Sequence, residues 1–133
     1  MKTLSRLSAF GMLVVILALM LAGCGTAAAS QAGPGNEAER LATLSRSIAG
    51  RFDALAADDA LLFDDGWRSE TVRELRQAAA LAGGMARQAP GMATGLEQTA
   101  AAYAWLADSV EAMDLAGMAA AGRALETASA SLR

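Results

Sequence analysis

The chain has 133 residues, which is enough for one small domain, and its formal net charge is −3 at pH 7. It contains 14 acidic residues, 11 basic residues and no histidine. The acidic balance argues against nucleic acid as a partner, because phosphate binding requires a basic surface. The absence of histidine from the sequence excludes imidazole catalysis and histidine metal ligands within it.

The N-terminal segment has the layout of an export signal. Lys2 and Arg6 are the only charged residues before Glu37, and the block from Ala9 to Ala22 is uncharged and almost wholly apolar. A membrane-spanning helix needs about 20 such residues, so this block is too short to be one. A basic start, a short apolar middle and a small-residue end are typical of a signal peptide. We therefore expect residues 1–23 to direct export of the rest of the chain.

The only cysteine stands at the end of this segment, in Leu21-Ala22-Gly23-Cys24. The motif resembles the lipobox of bacterial lipoproteins. The resemblance implies cleavage between Gly23 and Cys24 and attachment of a diacylglyceryl group to the Cys24 thiol, with fatty acids such as palmitate as the anchor. It also implies a location on the extracytoplasmic face of the cell membrane or an outer membrane. Gly25 permits outer-membrane delivery, because it is not the Asp that this family associates with inner-membrane retention.

A tether and one domain are expected after cleavage. Removal of residues 1–23 takes Lys2 and Arg6 away and changes the net charge from −3 to −5. Residues 24–36 would form a lipidated, flexible tether, because the small and polar residues after Cys24 offer no large apolar group for packing. Residues 37–133 would form the folded domain.

The domain is predicted to be all-α, because alanine is the best helix former and the large apolar residues recur at steps of three and four. A first helix would have Asn36 as its N-cap. Its core-facing side chains would be Leu41, Leu44, Ile48, Phe52 and Leu55. A second helix would be capped by Asp64, Asp65 or Ser69 and would end at Pro90-Gly91. Its core-facing side chains would be Trp67, Val72, Leu75, Leu81 and Met85.

The third segment carries a heptad seam, which consists of Met92, Leu96, Thr99, Tyr103, Leu106, Val110 and Met113. Thr94 and Glu97 resemble a capping box, and the alternative places Pro90 in the first turn. Asp114 is the expected N-cap of a fourth helix with a seam of Leu115, Met118, Gly122, Leu125, Ser129 and Leu132. One long helix over 92–132 is the alternative. The predicted fold is an up-down bundle of about four Ala-rich helices.

Residues 40–132 also resemble, loosely, the small uncharacterised helical-bundle lipoproteins of bacteria. The resemblance rests on Trp67, Pro90, Tyr103 and the Asp114-Leu115-Ala116 step. It implies a helical bundle and no particular activity.

Four aspartates near the first helix break are candidate calcium ligands. They are Asp58, Asp59, Asp64 and Asp65. With Gly66 at the sixth position of an EF-hand loop, the first and twelfth positions would be Leu61 and Val72, so the pattern fails. The aspartates are instead interpreted as helix caps and solvated groups. We predict no metal site.

Glu70 and Glu74 lie one helical turn apart and are a candidate catalytic carboxylate pair. Arg73 and Arg76 lie nearby on the same helix, and this spacing favours surface ion pairs. We therefore predict no catalytic residue and no cofactor.

One tentative binding surface is predicted. Leu61, Leu62 and Phe63 lie between two Asp pairs and are followed by Trp67, an apolar group with a polar rim that is typical of interfaces. The alternative is that the three apolar residues fold inward and close one end of the bundle. Trp105, between two heptad positions, would face a partner or cover an Ala-rich groove.

These features predict a membrane-anchored, non-enzymatic helical bundle outside the cytoplasmic membrane. Its role would be that of a protein-interaction or envelope-associated module, with an envelope protein as partner. A carrier with a small-ligand pocket between the helices is the alternative, and a hydrolase is the weakest hypothesis.

Overall fold

The computed structural model describes residues 34–132, with side chains described for 36–132. Four α-helices account for most of this part: α1 (Pro34–Ala57), α2 (Asp65–Gln88), α3 (Ala93–Glu111) and α4 (Leu115–Ser131). Two short 3₁₀ turns, Asp59–Phe63 and Pro90–Met92, lie between them. The predicted signal peptide, Cys24 and the tether up to residue 33 lie outside the described residues.

The helices pack against one another in antiparallel pairs, which confirms the predicted all-α, four-helix fold. Close backbone contacts are most extensive between α2 and α3, followed by α3 with α4 and α1 with α2. The antiparallel order places the 58–64 and 112–114 connections together at one end of the bundle, called the upper end below. The start of α1 and the 89–92 connection lie at the opposite, lower end.

The predicted apolar faces form one core. The large side chains that are almost completely buried include Leu41, Ile48, Phe52, Leu75, Leu96, Tyr103, Leu106, Val110 and Leu125. Between them lie buried alanines such as Ala78, Ala82, Ala107 and Ala121. These small side chains allow the helix backbones to approach closely. Within residues 34–132, no helix combines the length and apolar character required to cross a membrane.

The predicted N-cap Asp114 is confirmed, and of the three candidates for α2 the N-cap is Asp64. Asp64 has an extended backbone, and its carboxylate accepts a hydrogen bond of 2.7 Å from the Trp67 amide at the start of α2. The Asp114 carboxylate accepts one of 3.0 Å from the Gly117 amide at the start of α4. Each cap satisfies an amide that has no partner inside its helix. The break between α3 and α4, preferred over one long helix, is confirmed as well.

Other predicted helix boundaries are wrong. α1 begins at Pro34, so Asn36 lies inside its first turn rather than at the N-cap. Proline is well suited to a first helical turn, because its missing amide has no helical partner there. Thr94 lies inside α3, which begins at Ala93 without a side-chain cap, and Pro90 starts the preceding 3₁₀ turn instead.

The predicted seams also extend too far at the helix ends. Met92 and Met113 lie outside α3, and both side chains are exposed, as is that of Leu115 in the first turn of α4. The heptad pattern continues in the sequence, but the chain turns at these positions. These side chains are therefore left largely in solvent rather than in the core.

Candidate interaction surface

The structure divides the predicted Leu61-Leu62-Phe63 triplet between core and solvent. Leu62 is buried, and Leu61 is partly buried against the same core. The Phe63 side chain is 73% exposed. Trp67 is partly buried and packs edge-to-face on Phe52, with ring centroids 6.4 Å apart. The two leucines thus close the upper end of the bundle, as in the inward alternative, while Phe63 projects into solvent.

Arg68 joins the two connections at the upper end. Its Nη1 donates a hydrogen bond of 2.9 Å to the Leu62 carbonyl and one of 3.3 Å to the Met113 sulfur. Its Nη2 also forms an ion pair with Asp65. A single guanidinium therefore holds the residue before Phe63 close to Met113.

Met113 has an unusual backbone conformation. Its φ is 54°. Within the described part of the chain, no other non-glycine residue has a positive φ. The Asp114 amide donates to the Ser109 carbonyl at 2.8 Å, and the Met113 amide donates to the Val110 carbonyl at 3.1 Å. These two bonds define a Schellman motif, whose left-handed position is usually occupied by glycine. A methionine there costs about 1 kcal/mol more than a glycine.

Three exposed apolar side chains meet the solvent at the upper end. In addition to Phe63, Met113 is 44% exposed and Leu115 is 53% exposed. We call these three residues the upper apolar cluster. The spacing of Met113 and Leu115 continues the helical seams and predicts both in the core, and this prediction is wrong. The capping role of Asp114 between them was a signal that the chain turns there.

Aspartates lie in the same two connections as the upper apolar cluster, or directly next to them. The two connections contain Asp58, Asp59, Asp64 and Asp114, and Asp65 opens α2. Residues 58–67 and 112–122 contain no Lys or Arg, and the adjacent Arg68 is paired with Asp65. Asp58 accepts a hydrogen bond of 3.1 Å from the Ala60 amide, so it caps the first 3₁₀ turn as Asp64 and Asp114 cap α2 and α4. The predicted capping role of this acidic group is confirmed for these members.

Trp105 is a second exposed aromatic residue. Its side chain is 47% exposed on α3, and its carbonyl accepts a hydrogen bond of 2.9 Å from the Ser109 hydroxyl. It precedes Glu111, the last residue of α3, by six positions, which corresponds to about 9 Å of helix. Trp105 therefore lies on the side of the bundle, below the upper end.

Glu70 and Glu74, the candidate catalytic pair, form ion pairs with another helix. Arg51 of α1 binds Glu74 at 2.8 Å and Glu70 at 3.1 Å, and the Ser47 hydroxyl donates to Glu74 at 3.0 Å. The hydrogen bond to Glu74 is the main cause that raises the pKa of Arg51 above its usual value. The predicted ion pairs with Arg73 and Arg76 of the same helix are wrong, because Arg51 of α1 binds both glutamates.

Arg76 also reaches another helix. It binds Asp108 at 3.1 Å and Glu111 at 3.0 Å, both on α3. The hydrogen bond to Asp108, followed by that to Glu111, raises the pKa of Arg76. The interhelical ion pairs of α2 therefore reach α1 through Glu70 and Glu74, and α3 through Arg76.

Among residues 34–132, no group of three or more Asp, Glu, Cys or His side chains is placed to hold a metal ion. No family model, curated protein or solved structure matches the chain. The features that bear on function are therefore the motif that contains Cys24 and the side chains that the bundle exposes.

Proposed function

We propose that this protein is a lipid-anchored extracytoplasmic lipoprotein whose helical bundle is a non-enzymatic module that binds an envelope protein. The observation that carries the binding role is the exposure of Phe63 beside two leucines that are packed inward. Exposed aromatic and apolar side chains with a polar rim are characteristic of protein interfaces. The anchoring role is supported by the Leu21–Cys24 motif after a short apolar block.

The direction of α1 supports display of the upper end away from a membrane. The chain enters α1 at Pro34, at the lower end, and the 24 residues of α1 extend about 36 Å toward the upper end. A lipid on Cys24 would thus hold the bundle by its lower end. The upper apolar cluster would then be displayed on the membrane-distal side.

A non-enzymatic role is supported by the placement of the acidic groups. Three of the aspartates at the upper end cap helices or turns, and Glu70 and Glu74 are bound by Arg51. The sequence has no histidine, and its one thiol, Cys24, would carry the lipid. These carboxylates stabilise the fold rather than stand free as acid and base.

Metabolic labelling with a clickable palmitate analogue tests the anchor. We expect the full chain to be labelled, Ser30→Ala to be labelled equally, and Cys24→Ser to remain an unlabelled precursor. Equal labelling of Cys24→Ser would contradict the proposed anchor.

Photocrosslinking in the producing cells tests the interaction role. A photoreactive amino acid is placed singly at Phe63, Trp105 and, as a control on α4, Glu126; all three positions are exposed. We expect a defined envelope protein to be captured at Phe63 or Trp105 and not at Glu126. The absence of protein adducts at both aromatic positions would refute the interaction role.

A further inference from the structure

We propose that the upper end of the bundle binds a protein segment in which apolar residues are flanked by arginine or lysine. This inference rests on the proposed function and names the chemistry of its partner. Its parts are the upper apolar cluster, formed by Phe63, Met113 and Leu115, and the aspartates at the same end of the bundle.

The apolar part of this surface is held in place by the fold. Leu62 is buried immediately before Phe63, and Asp64 immediately after it caps α2. Arg68 bonds both the Leu62 carbonyl and the Met113 sulfur. A surface whose backbone is fixed in this way loses little conformational freedom on binding, which favours association.

The conformation of Met113 is an independent indication. Glycine at this Schellman position would avoid the strain of a positive φ, yet the chain has a methionine there with an exposed side chain. Residues with strained backbones persist where the surrounding structure holds them, and they are concentrated at functional sites. Methionine is also well suited to a binding surface, because its flexible, polarizable side chain adapts to different apolar shapes.

Charge selects the class of partner. Asp58, Asp59, Asp64, Asp65 and Asp114 lie at the same end of the bundle as the cluster, and Arg68 is already paired with Asp65. A second copy of the chain would bring an equally acidic rim against this one, and an anionic membrane surface would also be repelled. A segment with cationic flanks complements the aspartates, and an arginine among them can stack on the exposed Phe63 ring.

The test uses the full chain in the producing cells, with a photoreactive amino acid at Leu115, and maps the crosslinked segment of the partner by mass spectrometry. We expect this segment to contain apolar residues flanked by arginine or lysine. Met113→Gly should lower the adduct yield about fivefold or more without lowering the melting temperature. Asp59→Lys should lower the adduct yield similarly. Glu126→Lys, the same change of charge on α4, should leave the adduct yield unchanged.

Several results would overturn the inference. They are adducts to a second copy of this chain or to lipid, a captured segment without cationic flanks, adducts that persist in Asp59→Lys or Met113→Gly, or no adduct at Leu115. Capture of a protein at Trp105 with none at Leu115 would refute the upper-end site and leave the proposed interaction role standing. Loss of protein adducts at Phe63, Trp105 and Leu115 together would refute both.

Discussion

The hydroxyl oxygens of Ser45 and Tyr103 lie 2.8 Å apart inside the bundle and join α1 to α3. Both residues are completely buried. Burial raises the pKa of Tyr103 to about 12, and the hydrogen bond to Ser45 opposes this shift in part. The contact lets the core hold its largest aromatic side chain without leaving a hydroxyl group unpaired.

Tyr103 should make the stability of the protein fall at high pH. It is the only tyrosine, and Lys2 is the only lysine, so Tyr103 is the one side chain between residues 34 and 132 that ordinarily titrates near pH 10. The unfolded chain ionises near pH 10 and the folded chain near 12, so the stabilisation is complete below pH 10 and is lost as pH rises toward 12. The loss should amount to about 2–3 kcal/mol.

Urea unfolding between pH 8 and 11.5 measures this effect, with Tyr103→Phe as the control. The variant should lose about 1 kcal/mol at pH 8 through the missing hydrogen bond, and its stability should be nearly flat above pH 10. An equally steep fall in Tyr103→Phe would show that another group causes the pH dependence.

The ion pair between Arg51 and Glu74 should stabilise the contact of α1 with α2. The two side chains are only 21% and 15% exposed, so solvent screens them less than a surface pair. Arg51→Gln should cost about 1 kcal/mol in the free energy of unfolding, measured in urea at low salt. Arg73→Gln is the matched control, because Arg73 is exposed and forms no ion pair within the described residues.

A double-mutant cycle separates this pair from other effects of the substitutions. Arg51→Gln combined with Glu74→Gln should cost less than the sum of the single changes, because each single change already removes the pair. Strict additivity would contradict a direct contribution of the ion pair.

Gly117 should be required for the packing of α3 against α4. A Cβ atom there would lie 2.6 Å from the Ser109 Oγ and even closer to the Asp114 carboxylate that caps α4. Gly117→Ala should therefore lower the free energy of unfolding by about 1–3 kcal/mol, since it overpacks a buried contact and disturbs the cap.

Gly83→Ala is the control for this substitution. Gly83 lies inside α2. Apart from its chain neighbours and the backbone of its own helix, no heavy atom lies within 4 Å of the place that a Cβ atom would take. Here alanine should raise the stability by about 0.5–1 kcal/mol, because it restricts the unfolded chain and favours a helix. If both substitutions stabilise the protein in thermal unfolding, the close approach at Gly117 is not a constraint.

Phe63 and Leu62 should differ sharply in their effect on stability although they are neighbours. Leu62 is only 5% exposed, so Leu62→Ala should cost about 2–4 kcal/mol. Phe63→Ala removes a solvent-exposed ring and should change the stability by no more than about 0.5 kcal/mol. Thermal unfolding followed by circular dichroism distinguishes the two, and a large loss in Phe63→Ala would mean that its ring is packed in solution.

The sequence by itself determined the helical content, most of the core and several helix boundaries. The steps of three and four placed Leu41, Phe52, Leu96 and Leu106 correctly in the core. The sequence predicts Asp114 as a cap and Asp64 as one of three candidate caps, because a cap is a local bond from a side chain to an amide three residues later. The Leu21–Cys24 motif is likewise a local signal, and its meaning stays a prediction.

Only the tertiary structure decided which exposed side chains meet at the upper end and which charges pair. Arg51 and Glu74 are 23 positions apart, and Arg68 and Met113 are 45 positions apart. Such contacts depend on the rotation and relative height of whole helices, which periodicity within one helix does not specify. The same periodicity assigned Met113 and Leu115 to the core, because it cannot register that the chain turns between them and leaves both side chains facing solvent.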